Sequence, residues 1–209
     1  MIRANRGQPP EALTSRGHAW RDALEQAATP EQARRAARKY RHPQIRDALR
    51  DAFHGKCAYC EAKTEVVTWG HIEHYRPQSR FPELTFDWEN LLWACPRCNS
   101  ECKGDQFPDS VEGGPIVDPC ADEPSDHLRF EYDQVAGLAN VYGKTTRGTV
   151  TRDLLDLNRP DLRAERSRRV KQLACLLGLA KTDAGARALL EEAKQDDAPY
   201  AAFARALYP

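Results

Sequence analysis

The chain has 209 residues, which is enough to bury one hydrophobic core but leaves no room for a second large domain. It carries 31 basic and 31 acidic residues, so any attraction to nucleic acid must come from local clusters of charge. An N-terminal apolar signal segment and apolar runs long enough to cross a bilayer are both absent from the sequence. We therefore expect a cytoplasmic protein.

The first 54 residues are predicted to form an N-terminal arm followed by helices. Residues 1–17 mix glycine, proline and polar residues without periodicity, so we expect them to be extended and poorly ordered. A helix is predicted over residues 18–28.

Proline and glycine mark the next two helices. Thr29 is suited to be an N-cap and Pro30 to be the first helical residue, which predicts a helix running to about Tyr40. Pro43 begins a third helix with apolar residues at helical spacing, and Gly55 is well placed to end it.

Two segments are rich in basic residues. The first contains Arg34, Arg35, Arg38, Lys39, Arg41, Arg46 and Arg50, with Asp47 as its one acid. The second contains Arg163, Arg166, Arg168, Arg169 and Lys171, interrupted by Glu165. Each segment is equally consistent with a solvated helix face and with a phosphate-binding surface.

Residues 55–108 are predicted to form a zinc module. Four of the seven cysteines stand in two Cys-x-x-Cys pairs, Cys57/Cys60 and Cys95/Cys98. In a reducing compartment this spacing is typical of a structural zinc site, because each pair offers two thiolates to one tetrahedral ion. Cys102, one helical turn after Cys98, is a rival fourth ligand. The gap between the pairs is longer than in a simple zinc ribbon, so we expect a functional insertion.

The segment between the cysteine pairs is predicted to contain short strands. β-Branched and aromatic residues indicate strands leading to His74, namely Val66, Val67, Trp69 and Ile72. A short apolar stretch follows at residues 91–94. A helix should begin near Cys98 or Asn99 and continue through Lys103.

The remainder divides into two regions. Residues 109–144 begin with a loop rich in proline and glycine and contain one weak hairpin at 130–142. Residues 145–209 form a C-terminal helical region, with further helices near 161–178, 183–195 and 198–207.

Residues suited to phosphodiester hydrolysis lie within and beside this insertion. Glu73 and Asn99 could ligate a hard divalent cation, Mg²⁺ or Mn²⁺, through oxygen atoms. His74 could deprotonate the attacking water, because neutral imidazole is the natural base near neutral pH. Asn90 would either fix the imidazole tautomer or buttress the loop that carries it.

Two further residues could assist. Lys103 could contact phosphate as a point charge. His71 has the same strand parity as Glu73, so it could assist the metal or the phosphate, and it could equally hydrogen-bond a backbone carbonyl.

Three of these motifs together resemble the HNH endonuclease family: Glu73-His74-Tyr75-Arg76-Pro77, Trp88-x-Asn90-Leu91 and Cys95-x-x-Cys98-Asn99. The resemblance implies an α+β fold with a ββα-metal (His-Me finger) core, flanked by N- and C-terminal helices. It also implies a phosphodiester hydrolase in which His74 is the general base and Asn90 the orienting residue, with Glu73 and Asn99 as metal ligands. Glu73 stands where many members have Asp, and Lys103 lies farther from Asn99 than is common.

Longer segments resemble the HNH subunit of Septu-type and retron-linked anti-phage systems. They include His71–Ser79, Phe81–Trp88, Lys103–Pro108 and Leu157–Arg159. The resemblance implies an antiviral defence role, cleavage of DNA or RNA, and an ABC/SMC-like ATPase partner. The alternative is a non-catalytic zinc module that binds nucleic acid or a partner protein.

Overall fold

Three helices form the N-terminal part of the computed structural model, which describes residues 1–65 and 69–208. They are α1 (Glu11–Glu25), α2 (Pro30–Ala37) and α3 (Pro43–Ala52), and a 3₁₀ turn at Arg38–Arg41 joins the last two. The predicted cap is confirmed, because the Thr29 side chain accepts a hydrogen bond from the Gln32 amide at 3.2 Å. Helix α2 ends three residues before the predicted Tyr40, where the tighter 3₁₀ turn begins.

A short hairpin and a helix follow, in the predicted ββα order. Strand β1 (His71–His74) pairs antiparallel with β2 (Leu91–Ala94), with His71 opposite Ala94 and His74 opposite Leu91. A seven-residue π-helix, Arg97–Lys103, comes next. Every residue of β2 is buried, which explains its unbroken apolar sequence. Val66 and Val67, predicted to be in strands, lie outside the described residues.

The C-terminal half contains a second hairpin and further helices. Helix α4 (Pro124–His127) precedes β3 (Leu128–Asp133), which pairs antiparallel with β4 (Leu138–Gly143), so the predicted hairpin is confirmed. The remaining helices are α5 (Thr146–Leu154), α6 (Pro160–Leu179), α7 (Ala184–Glu192) and α8 (Ala201–Leu207). Within residues 1–65 and 69–208, no helix has the length and hydrophobicity needed to cross a membrane.

The N-terminal segment is ordered, which corrects the prediction of a poorly ordered arm at residues 1–17. The Ala4 amide donates to the Pro119 carbonyl at 2.8 Å, and the Trp88 indole donates to the Gly7 carbonyl at 3.0 Å. Arg6 is buried and donates through Nε to the Leu91 carbonyl at 2.7 Å. These bonds join segments that are distant in sequence, so local composition could not reveal them.

Substitution of Arg6 tests this correction. Arg6→Ala removes a buried hydrogen bond to Leu91 and the ion pair with Glu89, so we expect the free energy of unfolding to fall by about 2 kcal/mol. Chemical denaturation measures this loss. Arg3→Ala is the matched control, because Arg3 is exposed and its removal should change stability by less than about 0.5 kcal/mol. Equal stability of the two variants would instead support the prediction that residues 1–17 are poorly ordered.

Candidate functional site

The four paired cysteines meet at one buried point, although the hairpin separates the two pairs in sequence. The Sγ atoms of Cys57, Cys60, Cys95 and Cys98 all lie within 4.8 Å of one another. A tetrahedral zinc ion with bonds of about 2.3 Å places neighbouring sulfurs roughly 3.8 Å apart. The Cys60 and Cys95 sulfurs are 3.9 Å apart, so the donor set and its spacing fit structural zinc.

Cys102 does not join this cluster in the part of the chain that the structure describes. The prediction that it could rival Cys98 assumed α-helical spacing. The π-helix instead carries a bond from the Gly104 amide to the Asn99 carbonyl, five residues apart, and this wider winding changes which residues share a face.

A buried arginine from outside the module compensates the charge of the cluster. Arg159, just before α6, places its guanidinium Nη1 3.7 Å from the Cys98 sulfur. Burial acts to lower the pKa of Arg159, but the nearby thiolates outweigh it and raise the pKa above the usual range. Sequence reasoning missed this role, since Arg159 is distant in sequence from every cysteine.

Beside the cysteine cluster lies a cleft of about 580 Å³. Four of the predicted site residues line it: His71, Glu73, His74 and Asn99. Tyr40, Arg41 and Arg46 form part of its wall. The other two predicted residues, Asn90 and Lys103, are buried behind this lining.

His74 is held as a neutral imidazole at the wall of the cleft. Its Nε2 lies 3.0 Å from the Thr85 carbonyl oxygen. Because a carbonyl only accepts, Nε2 carries the proton and Nδ1 keeps its lone pair. The Tyr40 ring packs edge-on against the imidazole, with centroids 4.6 Å apart. Burial lowers the pKa of His74 to about 4, so the ring remains neutral near pH 7.

Asn90 supports the loop that carries the hydrogen-bond acceptor of His74. Its Oδ1 accepts from the Arg76 amide at 2.8 Å, and its Nδ2 donates to the carbonyls of Arg76 and Leu84 at 3.1 and 3.3 Å. Leu84 immediately precedes Thr85. Of the two roles predicted for Asn90, the structure therefore shows contacts that buttress the loop.

Glu73 is part of a buried polar network. Its Oε1 lies 2.8 Å from the Lys103 ammonium and accepts from the Tyr59 hydroxyl at 3.1 Å. Burial raises the pKa of Glu73 to about 7, although Lys103 and Tyr59 oppose that rise.

Lys103 is directed into the protein, whereas its predicted role was a contact with phosphate. Its side chain is fully buried, and its ammonium also donates to the His74 carbonyl at 2.9 Å. Lys103 therefore ties Glu73 to the backbone of His74.

His71 and Asn99 present accessible side-chain atoms to the cleft that could ligate a metal ion. His71 is exposed overall, but its imidazole is partly desolvated. This desolvation, with a smaller effect from the positive charge of Arg41, lowers the pKa of His71. Asn99 is half-buried, and among the described residues its side-chain amide makes no hydrogen bond. Together with the Glu73 carboxylate, which lines the same cleft, these atoms form a nitrogen and oxygen set of the kind that divalent cations accept.

Sequence comparison relates this part of the chain to known proteins. Residues 57–105 match the model of the HNH endonuclease family. Septu protein PtuB of Bacillus thuringiensis is 37% identical over 121 residues, which cover 57% of this chain and 43% of that protein. Septu protein PtuB of Bacillus mycoides (strain KBAB4) is 29% identical over 160 residues, which cover 64% of this chain and 53% of that protein.

A third relative belongs to a retron. It is a Vibrio cholerae serotype O1 biovar El Tor protein named as a proposed HNH endonuclease of retron Vc95, 27% identical over 147 residues that cover 66% of this chain and 68% of that protein. The chain spans about half the length of the two Septu relatives. The family match falls on the ββα segment that carries all four clustered cysteines, so residues 57–105 are similar to HNH endonucleases in both sequence and arrangement of elements.

Proposed function

We propose that the protein is a metal-dependent endonuclease that hydrolyses phosphodiester bonds in nucleic acid. The observation that carries this proposal is the placement of His74, whose Nε2 is fixed by the Thr85 carbonyl at the wall of a cleft that Glu73 and Asn99 also line. In the proposed reaction His74 Nδ1 accepts the proton of the attacking water. Asn90 acts as a positioning residue, since it holds the loop that supplies the Thr85 carbonyl.

Glu73 and Asn99 are the proposed ligands of the catalytic ion. Mg²⁺ or Mn²⁺ bound there would supply positive charge that stabilises the negative charge developing on the phosphate and the leaving oxygen. Glu73 would bind the ion through its carboxylate, which lines the cleft while its Oε1 contacts Lys103 and Tyr59. His71 is a further proposed ligand, since its accessible imidazole lines the same cleft.

The relatives suggest the biological setting. Two are named as Septu proteins and the third as a retron protein, which supports a role as the nuclease of an anti-phage system. We propose an ABC/SMC-like ATPase as the partner that regulates it. Co-purification of the full chain with the ATPase expressed from the same locus is expected, and a chain that elutes as a monomer in its presence would contradict the pairing.

One observation favours a second function, a non-catalytic zinc module that binds nucleic acid or a partner protein. The ammonium of Lys103 stands against Glu73, where it repels a second cation. A protein of this kind would bind a duplex in a salt-dependent manner yet release no cleaved product with Mg²⁺ or Mn²⁺, even with the ATPase present.

Removal of the proposed base is the direct test of catalysis. His74→Ala is expected to lower the cleavage rate of plasmid DNA or RNA by about 10²- to 10⁴-fold, because the water loses its proton acceptor. Gel-based cleavage with Mg²⁺ or Mn²⁺ measures the rate. His18→Ala is the control, because His18 is exposed on α1. Wild-type cleavage by a His74→Ala protein with intact zinc content would contradict the mechanism.

Loss of zinc is expected to unfold the module. Cys95→Ser removes one of the four clustered thiolates, so the bound zinc per chain should fall from one towards zero and the cooperative unfolding transition should disappear. Metal analysis by mass spectrometry and thermal unfolding by circular dichroism provide the two readings. Cys175→Ser is the matched control at an exposed cysteine. A stable Cys95→Ser protein without zinc would show that the ion is dispensable for folding.

Substitution of Lys103 tests whether this residue forms a structural ion pair or contacts phosphate. Lys103→Met leaves the buried carboxyl of Glu73 without its cation and should destabilise the fold by about 3 kcal/mol. The double variant Lys103→Met/Glu73→Gln removes both charges and should recover part of that loss. Denaturant unfolding of the two single variants and the double variant measures the coupling. Strictly additive losses would mean that Lys103 and Glu73 do not interact.

A further inference from the structure

Four exposed cations line one side of the N-terminal helices, outside the HNH segment. Arg34, Arg35, Arg38 and Lys39, here named the α2 stripe, line a surface groove of about 600 Å³. Arg34 and Arg35 stand on the last turn of α2, and Arg38 and Lys39 stand on the 3₁₀ turn that continues it. Glu31 is the one acidic side chain among the described residues that line this groove.

The α2 stripe is unpaired within the described chain, unlike several basic residues nearby and on α6. None of its four cations lies in an ion pair, whereas Arg46 and Arg50 pair with Asp47, and Arg168 pairs with Glu165. The second basic segment is further disrupted because Arg166 is buried, with its guanidinium over the Phe203 ring. Of the two basic segments in the sequence, the first therefore presents the denser group of exposed, unpaired cations.

The α2 stripe continues directly into the cleft. The 3₁₀ turn Arg38–Arg41 contributes Arg38 and Lys39 to the groove and then Tyr40 and Arg41 to the wall of the cleft. Residues three apart eclipse in a 3₁₀ turn, so Arg38 and Arg41 stand in line, about 6 Å apart along the axis. From Arg34 to Arg41 the path is roughly 12 Å, the length of three to four base steps of a duplex.

We propose that the α2 stripe binds the sugar-phosphate backbone of a polynucleotide that extends from the cleft. The proposal rests on the proposed nuclease function, and it names the substrate class as a polymer that continues beyond the scissile phosphate. Guanidinium groups suit this role, because they bind phosphate oxygens bidentately without reading the base sequence. An acidic protein surface is the competing occupant of the α2 stripe.

A neutralised variant tests the contact through binding alone. Arg34→Gln, Arg35→Gln, Arg38→Gln and Lys39→Gln are combined in the His74→Ala full chain, so that the probe is not cut. Fluorescence anisotropy with a labelled 20-base-pair duplex and its single strand gives the affinity between 50 and 200 mM KCl. We expect at least about tenfold weaker binding at 150 mM KCl. We also expect the slope of log affinity against log salt concentration to be smaller in magnitude by about 3.

A matched control removes the same charge elsewhere. Arg168→Gln, Lys171→Gln, Lys181→Gln and Arg187→Gln neutralise four exposed cations on and beside α6 and α7. This control should keep the wild-type salt slope within about 1. Equal losses in the two variants would overturn the proposal, because net charge and not the α2 stripe would then set the affinity. Unchanged polynucleotide binding with lost co-elution of the ATPase would assign the stripe to a protein partner and also overturn it.

Cleavage assays separate this inference from the proposed function. With His74 restored, neutralising the α2 stripe should lower kcat/KM for the duplex or RNA at least about tenfold more than kcat/KM for bis(p-nitrophenyl) phosphate, which is too small to span both sites. Equal reductions for the two substrates would overturn the stripe while leaving the nuclease intact. If the wild type cuts neither substrate, the nuclease proposal fails and the anisotropy series still decides the stripe.

Discussion

The four-cysteine cluster is the constraint on which the rest of the fold depends. One pair precedes β1 and the other follows β2, so a single buried point fixes both ends of the hairpin and the start of the π-helix. Zinc bound to four thiolates carries a net charge of about −2, which burial makes costly. Arg159 offsets part of that charge, and it thereby connects the C-terminal helices to the module.

Burial beside this cluster sets the chemistry of the cleft. The same exclusion of water lowers the pKa of His74 to about 4 and raises that of Glu73 to about 7. Lys103 contacts both residues, through the Glu73 carboxyl and the His74 carbonyl. The position of the proposed base and that of the proposed metal ligand therefore depend on one buried ammonium, which makes the two residues a coupled unit.

Local signals in the sequence predicted the order of most elements, although α1 begins at Glu11 and not at the predicted residue 18, and contacts between distant segments could not be predicted. The cysteine spacing predicted the zinc module. The Thr29 cap predicted the start of α2 and the apolar run predicted β2, because a capping hydrogen bond and the burial of a strand depend on residues close together in sequence. The order of the N-terminal arm could not be predicted, since Arg6 depends on a distant carbonyl at Leu91. The burial of Lys103 could not be predicted either, since it depends on the distant carboxylate of Glu73.

The four cysteines fit a structural ion, and we propose that the adjoining cleft binds a different, catalytic one. Anomalous diffraction at the zinc and manganese edges, from crystals of the full chain soaked in Mn²⁺, tests this claim directly. We expect a zinc peak at Cys57, Cys60, Cys95 and Cys98, and a separate manganese peak beside Glu73 and Asn99. Manganese at the cysteines, or no manganese in the cleft at saturating concentration, would contradict the account.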